Sequence, residues 1–258
     1  MYHPGAVAKP LILLTNDDGL GAPGLESLIE MAEGLGEVWV VAPEGPQSAQ
    51  SHALTLHKPL RVRGHGPRRF AVSGTPTDSV FMAVLHLLPR EPDLVLSGIN
   101  HGPNVGDDVS YSGTVSAALE ATIMGLPGVA LSHVDARTPD FRDGVKIART
   151  VCEKVLAHGL PERVYLNLNF PKVPFGEVKG LRVTTLGTRY YDDCIVEKVD
   201  PRGKPYFWIG GSGYRYEDVP GSDCNAVSDG YASVTPLLAD PTHRSSLELL
   251  KGWGLESS

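Results

Sequence analysis

The chain has 258 residues, of which 41% are hydrophobic and 21% charged, with a formal net charge of −7. Such a composition fits a globular protein with a sizeable core and excludes a disordered chain. The acidic balance also argues against a nonspecific nucleic-acid binder, which needs a basic footprint.

Cys152, Cys194 and Cys224 are far apart and form no C-x-x-C pair, so neither a disulfide framework nor a thiolate zinc site is expected. Met1 to Pro10 has neither the basic region nor the apolar core of a signal peptide. No apolar run approaches the length of a membrane span, so a cytoplasmic protein without membrane binding is expected.

In chain order, Leu11-Ile12-Leu13-Leu14-Thr15 reads as a strand buried on both faces, as in a parallel α/β sheet. It ends in Asn16-Asp17-Asp18-Gly19. Two adjacent carboxylates repel unless a cation or a shared proton relieves them, which points to a hard divalent metal; the alternative is a turn whose acids cap the next helix. Leu25, Leu28, Ile29 and Ala32 then recur at helical spacing, ended by Gly34 and Gly36. Val38 to Pro43 is a second strand, completing a βαβ unit, and it opens into the polar loop Glu44–His52 that carries Ser48. Leu54 to Val62 is expected as a strand, Gly64–Arg69 as a basic surface turn, and Phe70–Val72 as another strand.

Gly74-Thr75-Pro76-Thr77-Asp78 reads as a helix start, with Thr75 as N-cap, Pro76 in the first turn and Asp78 as the capping-box acid. The helix is expected to run to Pro89. Pro92 to Gly98 repeats the pattern of an apolar strand and runs into the segment from Ile99 to Glu120. The first half of that segment is rich in Gly and Asn and suited to exposing backbone N–H groups. From Ser112 a helix of small residues begins, and its free N–H groups beside two hydroxyls make a phosphate site; the bland reading is an N-cap followed by close helix–sheet packing.

Gly128–Ser132, Val164–Pro171 and Leu181–Leu186 are expected strands, and Gly144–His158 an amphipathic helix. The alternation predicts a Rossmann-like, mainly parallel doubly wound sheet over residues 1–187. Residues 188–258 are expected to hold a projecting β-hairpin between Asp192 and Gly210, a returning β segment at Gly230–Leu237 and a final helix at His243–Trp253. The hairpin's apolar and aromatic residues suggest a homo-oligomer.

Asp17, Asp18, Ser48 and Asn100 all follow strands of one predicted parallel sheet, whose carboxyl ends bind ligands. They are oxygen donors suited to Mg²⁺, Mn²⁺ or Ca²⁺. His52 and His101 read as loop or rim residues. There is no Walker phosphate loop, no G-x-G-x-x-G after the first strand and no G-x-S-x-G elbow.

Thr15-Asn16-Asp17-Asp18-Gly19, Val41-Ala42-Pro43 through Ser48, Gly74-Thr75-Pro76-Thr77-Asp78, and Ser97-Gly98-Ile99-Asn100 through Thr114-Val115 together resemble the SurE (survival protein E) family of nucleotidases. Leu166 to Pro171 and Gly230 to Leu237 extend the likeness from Leu11 to about Leu237. The resemblance implies a metal-dependent phosphomonoesterase acting on nucleoside 5′- and 3′-monophosphates, with short polyphosphate as a further candidate. It also implies a hairpin region that builds homodimers or homotetramers. One divalent cation, Mg²⁺ or Mn²⁺, would fall on Asp17, Asp18, Ser48 and Asn100, and phosphate contacts on Asn104, Ser112, Gly113 and Thr114. Asp17 or Asp18 would orient or deprotonate the water that attacks phosphorus in line. Two readings compete: a haloacid-dehalogenase-like phosphatase, whose D-x-D pattern this chain lacks, and a metal-dependent nucleotide sensor.

Overall fold

The computed structural model describes residues 9–137, 139–192, 195–209 and 213–255. Its elements are β1 (Leu11–Thr15), α1 (Pro23–Glu33), β2 (Glu37–Pro43), β3 (Val62–Gly64), β4 (Arg69–Val72), α2 (Pro76–Met82), β5 (Leu94–His101), α3 (Gly113–Ile123), β6 (Gly128–His133) and α4 (Arg142–His158). There follow β7 (Val164–Phe170), β8 (Leu181–Val183), β9 (Arg189–Asp192), β10 (Ile195–Val199), β11 (Pro205–Ile209), β12 (Gly213–Tyr216), α5 (Asp223–Ser228), β13 (Ala232–Leu238) and α6 (Leu247–Lys251). No helix among the described residues is long and apolar enough to cross a membrane.

Nine strands form one sheet in the order β3-β4-β2-β1-β5-β6-β7-β13-β8, and β4 through β7 are mutually parallel. Strand β1 lies at the centre because both its faces are apolar. Ile12 and Leu14 pack with α1 and α4, whereas Leu13 packs with α2 and α3. Each of these side chains is fully buried, contributing roughly 1.5–3 kcal/mol relative to exposure. The chain winds outward from β1 through β2 to β4, then returns to β5 on the other side of β1. The strand order therefore reverses between β1 and β5, and the crevice above their carboxyl ends is where such sheets bind ligands.

The close approach of α1 to this crevice requires glycine. A Cβ on Gly24 would lie 2.0 Å from the Ile99 carbonyl oxygen. The capping box at Thr75 and Asp78 forms as expected.

Other expectations are corrected. Helix α2 stops at Met82 and continues as a single wide turn, Ala83–Leu87, because Leu88 precedes Pro89 and is held extended (φ −77°, ψ 147°). Of Leu54–Val62 only Val62 enters a strand: the Thr55 N–H bonds the Asp78 carboxylate instead of a neighbouring strand, and Pro59 has no N–H to give. The eighth strand ends at Val183 rather than Leu186. The last helix is short, a 3₁₀ turn at Arg244–Ser246 followed by α6.

The hairpin projects as expected, with β10 and β11 antiparallel and with β9 and β12 pairing at its base. The returning segment does not stay with it. Strand β13 enters the main sheet antiparallel to β7 and parallel to β8.

Candidate active site

A cavity of about 290 Å³ opens at the switch point, lined among others by Asp17, Asp18, Ser48, Asn100, Asn104 and Ser112. The structure thus brings together the carboxyl ends of β1 and β5, the loop after β2 and the N-terminal end of α3. Gly113 and Thr114, the other two expected phosphate contacts, stand directly behind the acids. The Thr114 hydroxyl donates to Asp17 Oδ1 at 2.5 Å, and a Cβ on Gly113 would come within 3.0 Å of the Asp17 Cβ. The Thr114 side chain is therefore engaged with the acid, and what it and Gly113 present at the helix start is backbone N–H.

Asp17 is 6% exposed. Burial, reinforced by the neighbouring Asp18 charge, pushes its carboxyl up to about 6, against the opposing pull of the Thr114 hydrogen bond. Asp18 is more open and accepts the His101 N–H at 3.3 Å. The Asn100 side-chain amide donates to the Gly102 carbonyl at 3.0 Å, which assigns its Oδ1 as the oxygen left to meet a ligand.

Ser48 sits on an exposed loop that is tied down at several points. The Gln47 N–H bonds the Asp17 carbonyl at 2.7 Å, Ser51 bonds the Ser110 and Tyr111 carbonyls, and His52 pairs with the buried Glu120 of α3 at 2.7 Å. His52 thus anchors the loop.

A cation fits this donor set. Two adjacent carboxylates, one of them reluctant to ionise in its buried position, leave negative charge for a cation to compensate. Among the described residues no three His, Cys, Asp or Glu side chains gather as a metal-binding group. Completion of the shell therefore falls to neutral oxygens, as Ser48 and Asn100 supply. An all-oxygen set suits Mg²⁺, Mn²⁺ or Ca²⁺.

Sequence reasoning missed the support beneath the phosphate side. Asn167 and Asn169 of β7 read as polar residues of an alternating strand, yet both are wholly buried. Asn169 Oδ1 accepts the Asn104 N–H at 2.9 Å, while the Asn169 and Asn167 amides donate to the Asn104 carbonyl at 3.0 and 2.8 Å. The Asn104 side chain donates to Ser132 Oγ at 2.7 Å. The signal available was two asparagines within an apolar strand, since buried amides need partners. Asn169→Ala leaves the Asn104 N–H without its partner, so a loss of roughly 1–3 kcal/mol is expected. In thermal unfolding that is a fall of several degrees, and an unchanged melting temperature would refute the supporting role.

Ser112 caps α3, its hydroxyl oxygen accepting the Val115 N–H at 3.1 Å. The N–H groups of Gly113 and Thr114, in the first turn, have no intrahelical partner. Arg189 and Asp108 also line the cavity. Arg189 lies outside every motif weighed from sequence, and Asp108, though within the Ser97–Val115 segment, has no expected site role there. The buried thiols of Cys152 and Cys224 are pushed up to about 12, which suits neither to act as a nucleophile. Cys194 lies outside the described residues.

The family model described as Survival protein SurE matches residues 12–193. The 5′-nucleotidase SurE of Geotalea daltonii is 51% identical over 249 residues, spanning 94% of this chain and 98% of that protein. The 5′-nucleotidase SurE of Myxococcus xanthus is 48% identical over 247 residues, spanning 95% and 94%. The crystal structure of the SurE protein from Aquifex aeolicus superposes with a TM-score of 0.83 at 40% identity, covering 95% of this chain and all of that one. Likeness on this scale spans the acid pair, the Asn100–Thr114 segment and the returning strand alike, and the chain belongs to the SurE family.

Proposed function

We propose that the chain is a 5′-nucleotidase that uses a divalent cation, Mg²⁺ or Mn²⁺, to release phosphate from nucleoside 5′-monophosphates, with 3′-monophosphates as further substrates. The observation that carries this is the joining of acids and helix start around one cavity, where Thr114 at the head of α3 bonds Asp17 directly. The names of the relatives from Geotalea and Myxococcus point to the same reaction.

When bound, the cation supplies Lewis-acid polarisation and lowers the pKa of water. Asp17, Asp18, Ser48 and Asn100 hold it. Phosphoryl transfer asks the protein mainly for positioning and charge stabilisation. The Gly113 and Thr114 N–H groups, the Ser112 hydroxyl and the second amide hydrogen of Asn104 provide donors for the phosphoryl oxygens. Asp18, the more open carboxylate, is placed to orient the attacking water, while Thr114 fixes Asp17.

The hairpin supports assembly. Trp208 is 64% and Ile209 87% exposed at its tip strand, an apolar area suited to docking on a second copy as a homodimer or homotetramer.

Phosphate release from AMP tests the reading. The protein with Mn²⁺ is expected to hydrolyse AMP, and EDTA should remove at least about 99% of the activity until Mn²⁺ is returned. Binding of AMP without phosphate release under Mg²⁺, Mn²⁺ or Ca²⁺ would instead identify a nucleotide sensor.

A further inference from the structure

The cavity is rich in acid. Asp17, Asp18 and Asp108 line it, and Arg189 is the one permanently charged cation among its described lining residues. A phosphate monoester brings further negative charge, so stabilising it needs positive charge beyond the bound metal.

Arg189 begins β9, at the base of the projecting arm, where it pairs in register with Tyr216 of β12. Its side chain is 8% exposed and forms an ion pair with Asp108, itself 12% exposed. The backbone that carries this pair is held independently of it. The buried Asp223 carboxylate accepts the Gly106 N–H at 3.0 Å and the Gly187 N–H at 2.8 Å. It thereby staples together two segments, each two residues before a member of the pair. Asp108 lies in the 3₁₀ turn Gly106–Ser110, which leads directly into Ser112 and the start of α3. Arg189 therefore lines the cavity from the arm, paired with the turn that leads into the phosphate side.

We propose that Arg189 is a catalytic residue of this site: it rests on Asp108 and transfers its guanidinium to the phosphoryl oxygens when a nucleoside monophosphate binds. A guanidinium presents a planar fork that matches two phosphoryl oxygens, and moving it from one oxyanion to another requires no deprotonation. Until a nucleotide binds, Asp108 supplies the guanidinium with an acidic partner. The proposal rests on the nucleotidase reading, and AMP hydrolysis by the wild-type protein tests that reading separately.

With Mn²⁺ and AMP, Arg189→Ala is expected to lower kcat by about 100-fold or more, the scale of losing one oxyanion donor. Arg189→Lys keeps the charge and loses the fork, so a loss of about tenfold or more is expected with an unchanged melting temperature. Added guanidinium should restore Arg189→Ala by about tenfold and leave the wild type unimproved. Asp108→Asn removes the same ion pair but keeps the arginine, whose backbone Asp223 still holds near Gly187, and should lose less than about tenfold. By calorimetry, Arg189→Ala should bind inorganic phosphate about tenfold more weakly while its Mn²⁺ affinity holds. If the alanine variant does not fold, the lysine variant decides. The inference is overturned by an Arg189→Lys kcat within about threefold of wild type. It is equally overturned if Arg189→Ala and Asp108→Asn lose activity by the same factor without guanidinium rescue, because Arg189 would then be only a strut.

Discussion

Asp17→Asn is expected to abolish phosphate release from AMP while raising the melting temperature of the metal-free protein at pH 8. The two effects have one cause. Asp17 is nearly buried, and its carboxyl titrates near 6 rather than 3.8 because ionisation there is opposed by desolvation and by Asp18. A folded-state value above the unfolded one means that the native protein holds its proton longer. The stability this confers is fully present below about pH 4 and lost as the pH rises through about 6. Above pH 6 the metal-free wild type carries an ionised group at a cost of about 1–3 kcal/mol, to order of magnitude. A neutral amide at this position carries no such cost at any pH, and its side-chain oxygen still accepts the Thr114 hydroxyl.

The Asp17→Asn protein should therefore melt about 3–10 °C above metal-free wild type at pH 8, with the gap closing toward pH 4. Mn²⁺ should stabilise the wild type and not the variant, and kcat should fall by about 10³-fold or more. Differential scanning calorimetry with and without Mn²⁺ at both pH values reads the first part, and a phosphate assay the second. A variant that melts no higher than metal-free wild type at pH 8 would show that Asp17 carries no stored electrostatic penalty, and with it would go the argument that this position awaits a cation.

The acid pair was legible in the sequence because of what precedes it. Ile12 and Leu14 bury one face of β1 and Leu13 the other, so the run has to be an interior strand of a parallel sheet, and the polar residues after it must emerge at the ligand-binding edge. The same logic placed Asn100 beyond a strand expected to end at Gly98; the structure carries β5 on to His101, with Asn100 at its carboxyl end. That logic did not place Arg189, whose position depends on the buried Asp223 linking Gly106 to Gly187 across 117 and 36 residues of chain. Nor did it find Asn167 and Asn169, because strict alternation in β7 predicts one solvated face, whereas α3 and the Asn104 loop cover it. Period-2 patterning reports which side chains share a face; it does not report whether that face meets water. Asn104 itself carried no local signal beyond its Gly- and Asn-rich surroundings, and the family resemblance alone singled it out.

Asp78 shows how a correct local reading can still be incomplete, and Asp78→Ala has the largest expected effect on stability. From sequence it is the capping-box acid of α2, and its carboxylate does accept the Thr75 N–H at 2.8 Å. The same carboxylate also accepts the Thr55 N–H at 2.9 Å and the Thr55 hydroxyl at 2.6 Å, while the Thr75 hydroxyl donates to the Ala53 carbonyl at 2.7 Å. The cap is thus also the clamp that holds the far end of the loop carrying Ser48, with His52 and Glu120 as its second tether. Alanine would leave three donors without their acceptor at a site where Asp78 is 2% exposed. An orphaned buried donor such as the Thr75 N–H costs about 1–3 kcal/mol and the two part-buried Thr55 donors less each, so with the losses sharing one relaxing loop the total is expected at about 3–5 kcal/mol. For a domain of this size that corresponds to a fall of about 8–15 °C in melting temperature. Because Ser48 is the ligand with the least support from regular structure, the Mn²⁺ concentration needed for half-maximal activity should also rise, by about tenfold. Thr55→Val removes only the hydroxyl contact and keeps the cap, so it should reproduce a small part of the melting shift. An Asp78→Ala protein that melts within about 2 °C of wild type would reduce Asp78 to an ordinary helix cap, and a large melting shift with an unaltered Mn²⁺ requirement would separate the loop's anchorage from the placement of Ser48.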